Sequence, residues 1–136
     1  MPEGRPDRGI LDTSVVIDLE LLDVAVLPLE VAVTAITMAE LAAGPHATDD
    51  PDERARRQDR LQRAEAAFDP IPFDADAARA YGRIFAAIVA RGRKARGARA
   101  VDLMIAAVAS ANGLPLYTRN PDDVTGLDGL VDIVTV

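Results

Sequence analysis

The sequence predicts an α/β fold, a single domain with a mostly parallel sheet flanked by helices. Three observations predict it. Short apolar, β-branched runs alternate along the chain with longer segments of helical period. The helical segments are bounded by residues that start or stop helices: Asp50-Pro51, Asp74, Gly44-Pro45 and Asn112-Gly113. Apolar residues make up 49% of the 136, which supports one buried core and excludes intrinsic disorder despite 27% charged residues.

Residues 1–8 are polar and expected to form a loose tail ahead of a domain over 9–136. Gly9-Ile10-Leu11 reads as a buried strand ending at Asp12. Thr13 or Ser14 then caps a helix with Val15, Val16, Leu19 and Leu22 on its apolar face, broken by Pro28. Val31 to Ile36 is a second strand and Thr37 to Ala43 a short helix, followed by a loop from His46 to Pro51. A charged, Ala-rich helix runs from Pro51 to Phe68. Asp69 to Phe73, with two prolines, is an edge strand at best. Asp74 opens a long helix with Ala77, Ala78, Tyr81, Ile84, Phe85 and Ile88 on one face, ending near Gly92. Val101 to Ala111 is apolar nearly all round and is expected to be buried. Leu114 to Thr118 and Val131 to Val136 are strands, and Asn120-Pro121 turns the chain between them.

Composition removes several kinds of chemistry. Without cysteine there are no disulfides, zinc-thiolate sites or thiol nucleophiles. One histidine, His46, excludes a multi-His metal site, and a Ser-His-Asp triad would have to use it. The net charge of −7 gives no general attraction to nucleic acid, and 4% aromatics without Trp argues against a base-stacking platform. No segment has the length of a membrane span or the pattern of a signal peptide, so a cytoplasmic protein is expected.

In parallel sheets ligands sit beyond the carboxyl ends of the strands. Acids at or just past those ends are Asp12, Glu40, Asp102 and the pair Asp122/Asp123. Carboxylates gathered in one pocket repel and call for a cation, and oxygen ligands suit Mg²⁺ or Mn²⁺. Such a site can activate water and stabilise a phosphodiester transition state. Each acid also has a structural reading. Asp12 can cap a helix. Glu40 can close a capping box begun at Thr37. Asp122 and Asp123 can be first-turn acids behind Asn120-Pro121. Asp102 has no such escape, because the rest of its helix offers no polar face.

Four short motifs, in order, then resemble the PIN-domain ribonucleases, and their spacing resembles the VapC-type toxins of bacterial toxin–antitoxin pairs. They are Ile10-Leu11-Asp12-Thr13-Ser14, Met38-Ala39-Glu40-Leu41, Asp102 opening Leu103-Met104-Ile105-Ala106-Ala107, and Thr118-Arg119-Asn120-Pro121-Asp122-Asp123. The resemblance spans Ile10 to Val136. It implies a PIN-like α/β fold, Mg²⁺- or Mn²⁺-dependent RNA cleavage with one or two cations, a cognate antitoxin partner and a homodimer. It also implies Asp12, Glu40 and Asp102 as catalytic and metal-binding acids. Thr13, Ser14 and Thr118 match polar positions of the family's pocket. The last motif departs from the family pattern, with Val124 where Phe is usual, so the fourth acid is carried to Asp123 with Asn120 and Asp122 as rivals.

Ten of the fifteen basic residues lie in two clusters. Arg54, Arg56, Arg57, Arg60 and Arg63 alternate with acids and read as a solvated helix face. Arg91, Arg93, Lys94, Arg96 and Arg99 have no acid among them and lead into Asp102. From these, Arg93, Lys94, Arg96 and Arg99 are the expected contacts to an RNA backbone. Two other readings compete: a PIN-like module without activity, opposed by the complete acid triad, and a phosphoacceptor receiver domain. The latter needs a lysine after its last strand, whereas Lys94 stands well before it.

Overall fold

The computed structural model describes residues 7–93 and 98–136. Four parallel strands form one sheet in the order β2-β1-β3-β4: β1 (Arg8–Leu11), β2 (Glu30–Ala32), β3 (Leu116–Thr118) and β4 (Ile133–Thr135). The register pairs Ile10 with Ala32 on one side and with Leu116 on the other, and Tyr117 with Val134. Five helices surround the sheet: α1 (Thr13–Ile17), α2 (Ala35–Ala43), α3 (Pro51–Ala67), α4 (Ala75–Ala90) and α5 (Ala98–Asn112).

Strand side chains alternate between two cores, as the period of two requires. Ile10, Ala32 and Leu116 join the interior of α4 and α5, including Ile84, Ile88, Leu103 and Ile105. Leu11, Val33 and Tyr117 join α1, α2 and α3 through Val15, Leu41 and Ala64. Helix α5 runs through the larger core with Leu103 and Ile105 to Ala109 all buried, as its apolar circumference predicts. Gly9 is required where β1 passes Tyr117: a Cβ there would lie 2.5 Å from Tyr117 Cε1.

Asp50 and Asp74 cap α3 and α4 as expected, each accepting a backbone N–H of the first turn. Several expectations need correction. The first helix ends at Ile17, and single 3₁₀ turns over Leu19–Leu21 and Val24–Val26 carry the chain to β2. Asp12, rather than Thr13 or Ser14, caps α1. The second strand stops at Ala32 because Thr34 bridges to Ile71 and then caps α2 by accepting from Thr37 N–H. The Asp69 to Phe73 segment contributes only that bridge. On α4, Ala80 is buried, whereas Ala78 and Phe85 face solvent.

Candidate active site

The ends of β1 and β3 and the start of α2 converge at the carboxyl edge of the sheet. Asp12 follows β1 directly and is only 9% exposed. Its Oδ1 accepts from the Val15 backbone N–H at 3.1 Å and from the Ser14 hydroxyl at 2.6 Å. Oδ2 carries no hydrogen bond among the described residues. Ser14 Oγ in turn accepts the backbone N–H of Arg119 at 3.2 Å, which ties the turn after β3 to the turn after β1. An Arg119–Asp18 ion pair at 3.0 Å reinforces that tie. Thr118 is buried, and its hydroxyl accepts the Asn120 N–H at 3.0 Å.

Glu40 lies on the second turn of α2. The capping-box reading fails, because the cap is Thr34 and Thr37 is already inside the helix. Glu40 Oε1 instead stands 2.5 Å from the Thr13 hydroxyl, which is also 3.1 Å from Thr37 Oγ1. An ionised carboxylate only accepts, so the Thr13 proton goes to Glu40 and Thr37 donates into Thr13. A row of buried or half-buried hydroxyls thus orients the carboxylate from one side.

Asp102, on the first half of α5, feels all the other acids. Its carboxyl is pushed up to about 7, first by burial and then by the charges of Asp123, Glu40 and Asp12, with a hydrogen bond to Asp123 adding to the effect. Burial and neighbouring negative charge both favour the protonated, neutral form of the Asp102 carboxyl. Asp123 lies on the 3₁₀ turn Pro121–Val124, while Asn120 and Asp122 are exposed. The structure therefore brings Asp12, Glu40 and Asp123 within electrostatic reach of Asp102. Among the described residues no three acids are already drawn to one point as in a metal cage. The donor set itself, all carboxylate and hydroxyl oxygen with excess negative charge, fits a hard divalent cation.

Beside Glu40 opens a cleft of about 440 Å³, lined by Thr13, Ile17, Glu40, Leu41, Arg57 and Arg60 among others. Of the four expected RNA contacts, two are described. Arg93 donates to the Asp122 carbonyl at 3.1 Å and so braces the turn carrying Asp123. Arg99 Nη1 is buried without a hydrogen-bond partner among the described residues. Lys94 and Arg96 lie outside the described residues. The position of Arg57 and Arg60 on the cleft was not legible in the charge pattern, which showed only alternation of signs along one helix.

Comparisons with known proteins identify the family to which this fold belongs. A family model described as PIN domain matches residues 10–125. A "Ribonuclease VapC5" of Mycobacterium tuberculosis is 40% identical over 131 residues, covering 94% of this chain and 93% of that protein. A crystal structure of VapBC-5 from the same organism, a member of the VapBC family of toxin–antitoxin systems, superposes with a TM-score of 0.82. That match is 40% identical and covers 96% of this chain and 98% of the other. FitAcB from Neisseria gonorrhoeae is 26% identical with a TM-score of 0.69, over 91% and 94% of the two chains.

Proposed function

This chain belongs to the PIN-domain family and, within it, to the VapC-type ribonucleases of toxin–antitoxin pairs, and from that premise we propose a metal-dependent endoribonuclease whose Asp12, Glu40, Asp102 and Asp123 hold Mg²⁺ or Mn²⁺. One observation carries the metal reading: the charges of Asp12, Glu40 and Asp123, from separate elements, all push the Asp102 carboxyl up, and no positive charge offsets them there. Where such a cluster is built for structure, an arginine or lysine normally balances it. A divalent cation, when bound there, supplies the positive charge that activates water and stabilises the developing charge on a phosphodiester.

The chain's own residues have separable parts in this. Asp12 spends Oδ1 on holding the start of α1 and keeps Oδ2 for the ligand. Thr13 fixes the rotamer of Glu40. The raised carboxyl of Asp102 must be ionised to hold the cation, so metal affinity rises with pH through neutrality. Ser14 locks the β3 turn against β1 and thereby sets the distance between the two halves of the acid cluster.

The substrate in this reading is RNA, cut internally in the cytoplasm. A cognate antitoxin holds the activity in check, and the protein works as a homodimer. Among the described residues no helix is long and apolar enough to cross a membrane. The decisive experiment is Asp12→Asn. The neutral amide keeps the cap but cannot compete with the cation's hydration shell, so Mn²⁺-dependent RNA cleavage should vanish while the fold persists. Retained cleavage by the pure variant refutes the mechanism.

A further inference from the structure

Helix α3 carries five arginines, and the structure accounts for four of them. Arg54 donates to the carbonyls of Pro45 and Thr48 at 3.1 and 2.8 Å. Arg57 donates to the Gly44 carbonyl at 2.9 Å and lies 3.7 Å from Glu53. Arg56 pairs with Glu53 at 3.5 Å, and Arg63 pairs with Glu20 and with Asp59. Arg60 has neither a hydrogen bond nor an ion pair among the described residues. Yet it is half-buried, and it lines two adjoining clefts. One is the 440 Å³ cleft also lined by Thr13 and Glu40. The other, about 210 Å³, continues between α1 and α3 past Leu19, Arg63, Ala64 and Phe68.

Arg60 covers its stem against the helix surface and keeps its charged head free for a ligand entering the clefts. Here the unpaired cation lines the same cleft as Glu40, with Arg57 and Arg63 held by other partners one turn away on the same helix. Its planar fork suits the two oxygens of a phosphate. We infer that Arg60 binds a backbone phosphate of the RNA next to the one being cut, so that the strand runs from the acid cluster into the groove between α1, α2 and α3. This rests on the nuclease reading for the identity of the polymer, and it adds α3 to the substrate path. Arg57 supports the site by anchoring the 44–48 turn that forms its floor. The step is binding only; no bond is made or broken by Arg60.

The test uses the full chain. Binding of a labelled single-stranded RNA is followed by fluorescence anisotropy in Ca²⁺ over a range of KCl, and cleavage of the same RNA is followed in Mn²⁺. Arg60→Ala should weaken binding about tenfold at low salt and flatten the plot of log affinity against log salt by about 0.7, the loss of one phosphate contact to a single strand. KM for cleavage should rise in step, with kcat changed by no more than about twofold. Arg60→Lys keeps the charge and should restore the slope. Arg56→Ala, exposed and paired with Glu53, should leave it unaltered. An Arg60→Ala protein that melts like the wild type and keeps its slope overturns the inference. So does an Arg60→Lys protein that loses the slope, since packing and not charge would then matter. If Arg60→Ala spares RNA binding but weakens the antitoxin complex, the cleft belongs to the protein partner, which again overturns it. Should wild type bind RNA with the Arg60-dependent slope yet never cut it, the nuclease reading fails and the phosphate contact stands. Absence of any RNA binding by the wild type refutes both.

Discussion

Replacing Asp102 by Asn should make the metal-free protein more stable, and the structure sets the size. The Asp102 carboxyl is raised from 3.8 to about 7 on folding. Each unit is worth about 1.4 kcal/mol, so the shift corresponds to roughly 4 kcal/mol if the site were dry. Asp102 is only half-buried, and solvent screening reduces this to about 2 kcal/mol. The folded state here binds the proton more tightly than the unfolded chain. The contribution is therefore fully present below about pH 4 and is lost as pH rises through about 7. Asparagine has no proton to lose. In EDTA the variant and wild type should melt together near pH 4 and separate progressively, until at pH 7.5 the variant melts higher by about 8 °C, at about 4 °C per kcal/mol for a domain of this size. Mn²⁺ at a hundred times its dissociation constant should add about 2.7 kcal/mol to the wild type and little to the variant. Scanning calorimetry at several pH values reads all of this. A variant that melts below the wild type at pH 7.5, with an undiminished response to Mn²⁺, would mean that Asp102 merely supports its helix, and the charge-cluster argument would fail.

Three further outcomes are expected. Thr13→Val removes the donor to Glu40 Oε1 while keeping the shape, so Mn²⁺ affinity measured by calorimetric titration should fall about tenfold or more with the fold intact. Gly9→Ala places a methyl group 2.5 Å from Tyr117 Cε1, and chemical denaturation should report a loss of about 1–3 kcal/mol. The antitoxin complex should bind Mn²⁺ more weakly than the free protein if a basic side chain docks among the acids; equal affinities in a titration would exclude that mode of inhibition.

The order of strands and helices was legible in the sequence because it rests on local properties. Helix starts at Asp50 and Asp74 are set by a side-chain oxygen reaching a backbone N–H of the same turn. The burial of α5 follows from a circumference with almost nothing polar on it. Asp12 and Asp102 were recognisable too, one by its place after a strand and the other by its lack of polar company. What tertiary structure decided concerns residues whose partners are remote in sequence. Glu40 closes no capping box, because the Thr34–Ile71 bridge starts α2 three residues earlier and turns Glu40 toward Thr13 on another element. Asp123 acts on Asp102, twenty-one positions away, which no pattern within Asn120-Pro121-Asp122-Asp123 encodes. The arginines of α3 look equivalent along the helix. Only the fold spends four of them on the 44–48 turn and on Glu53, Asp59 and Glu20, and leaves Arg60 facing the cleft, since a charge's role depends on which opposite charge folding brings within reach.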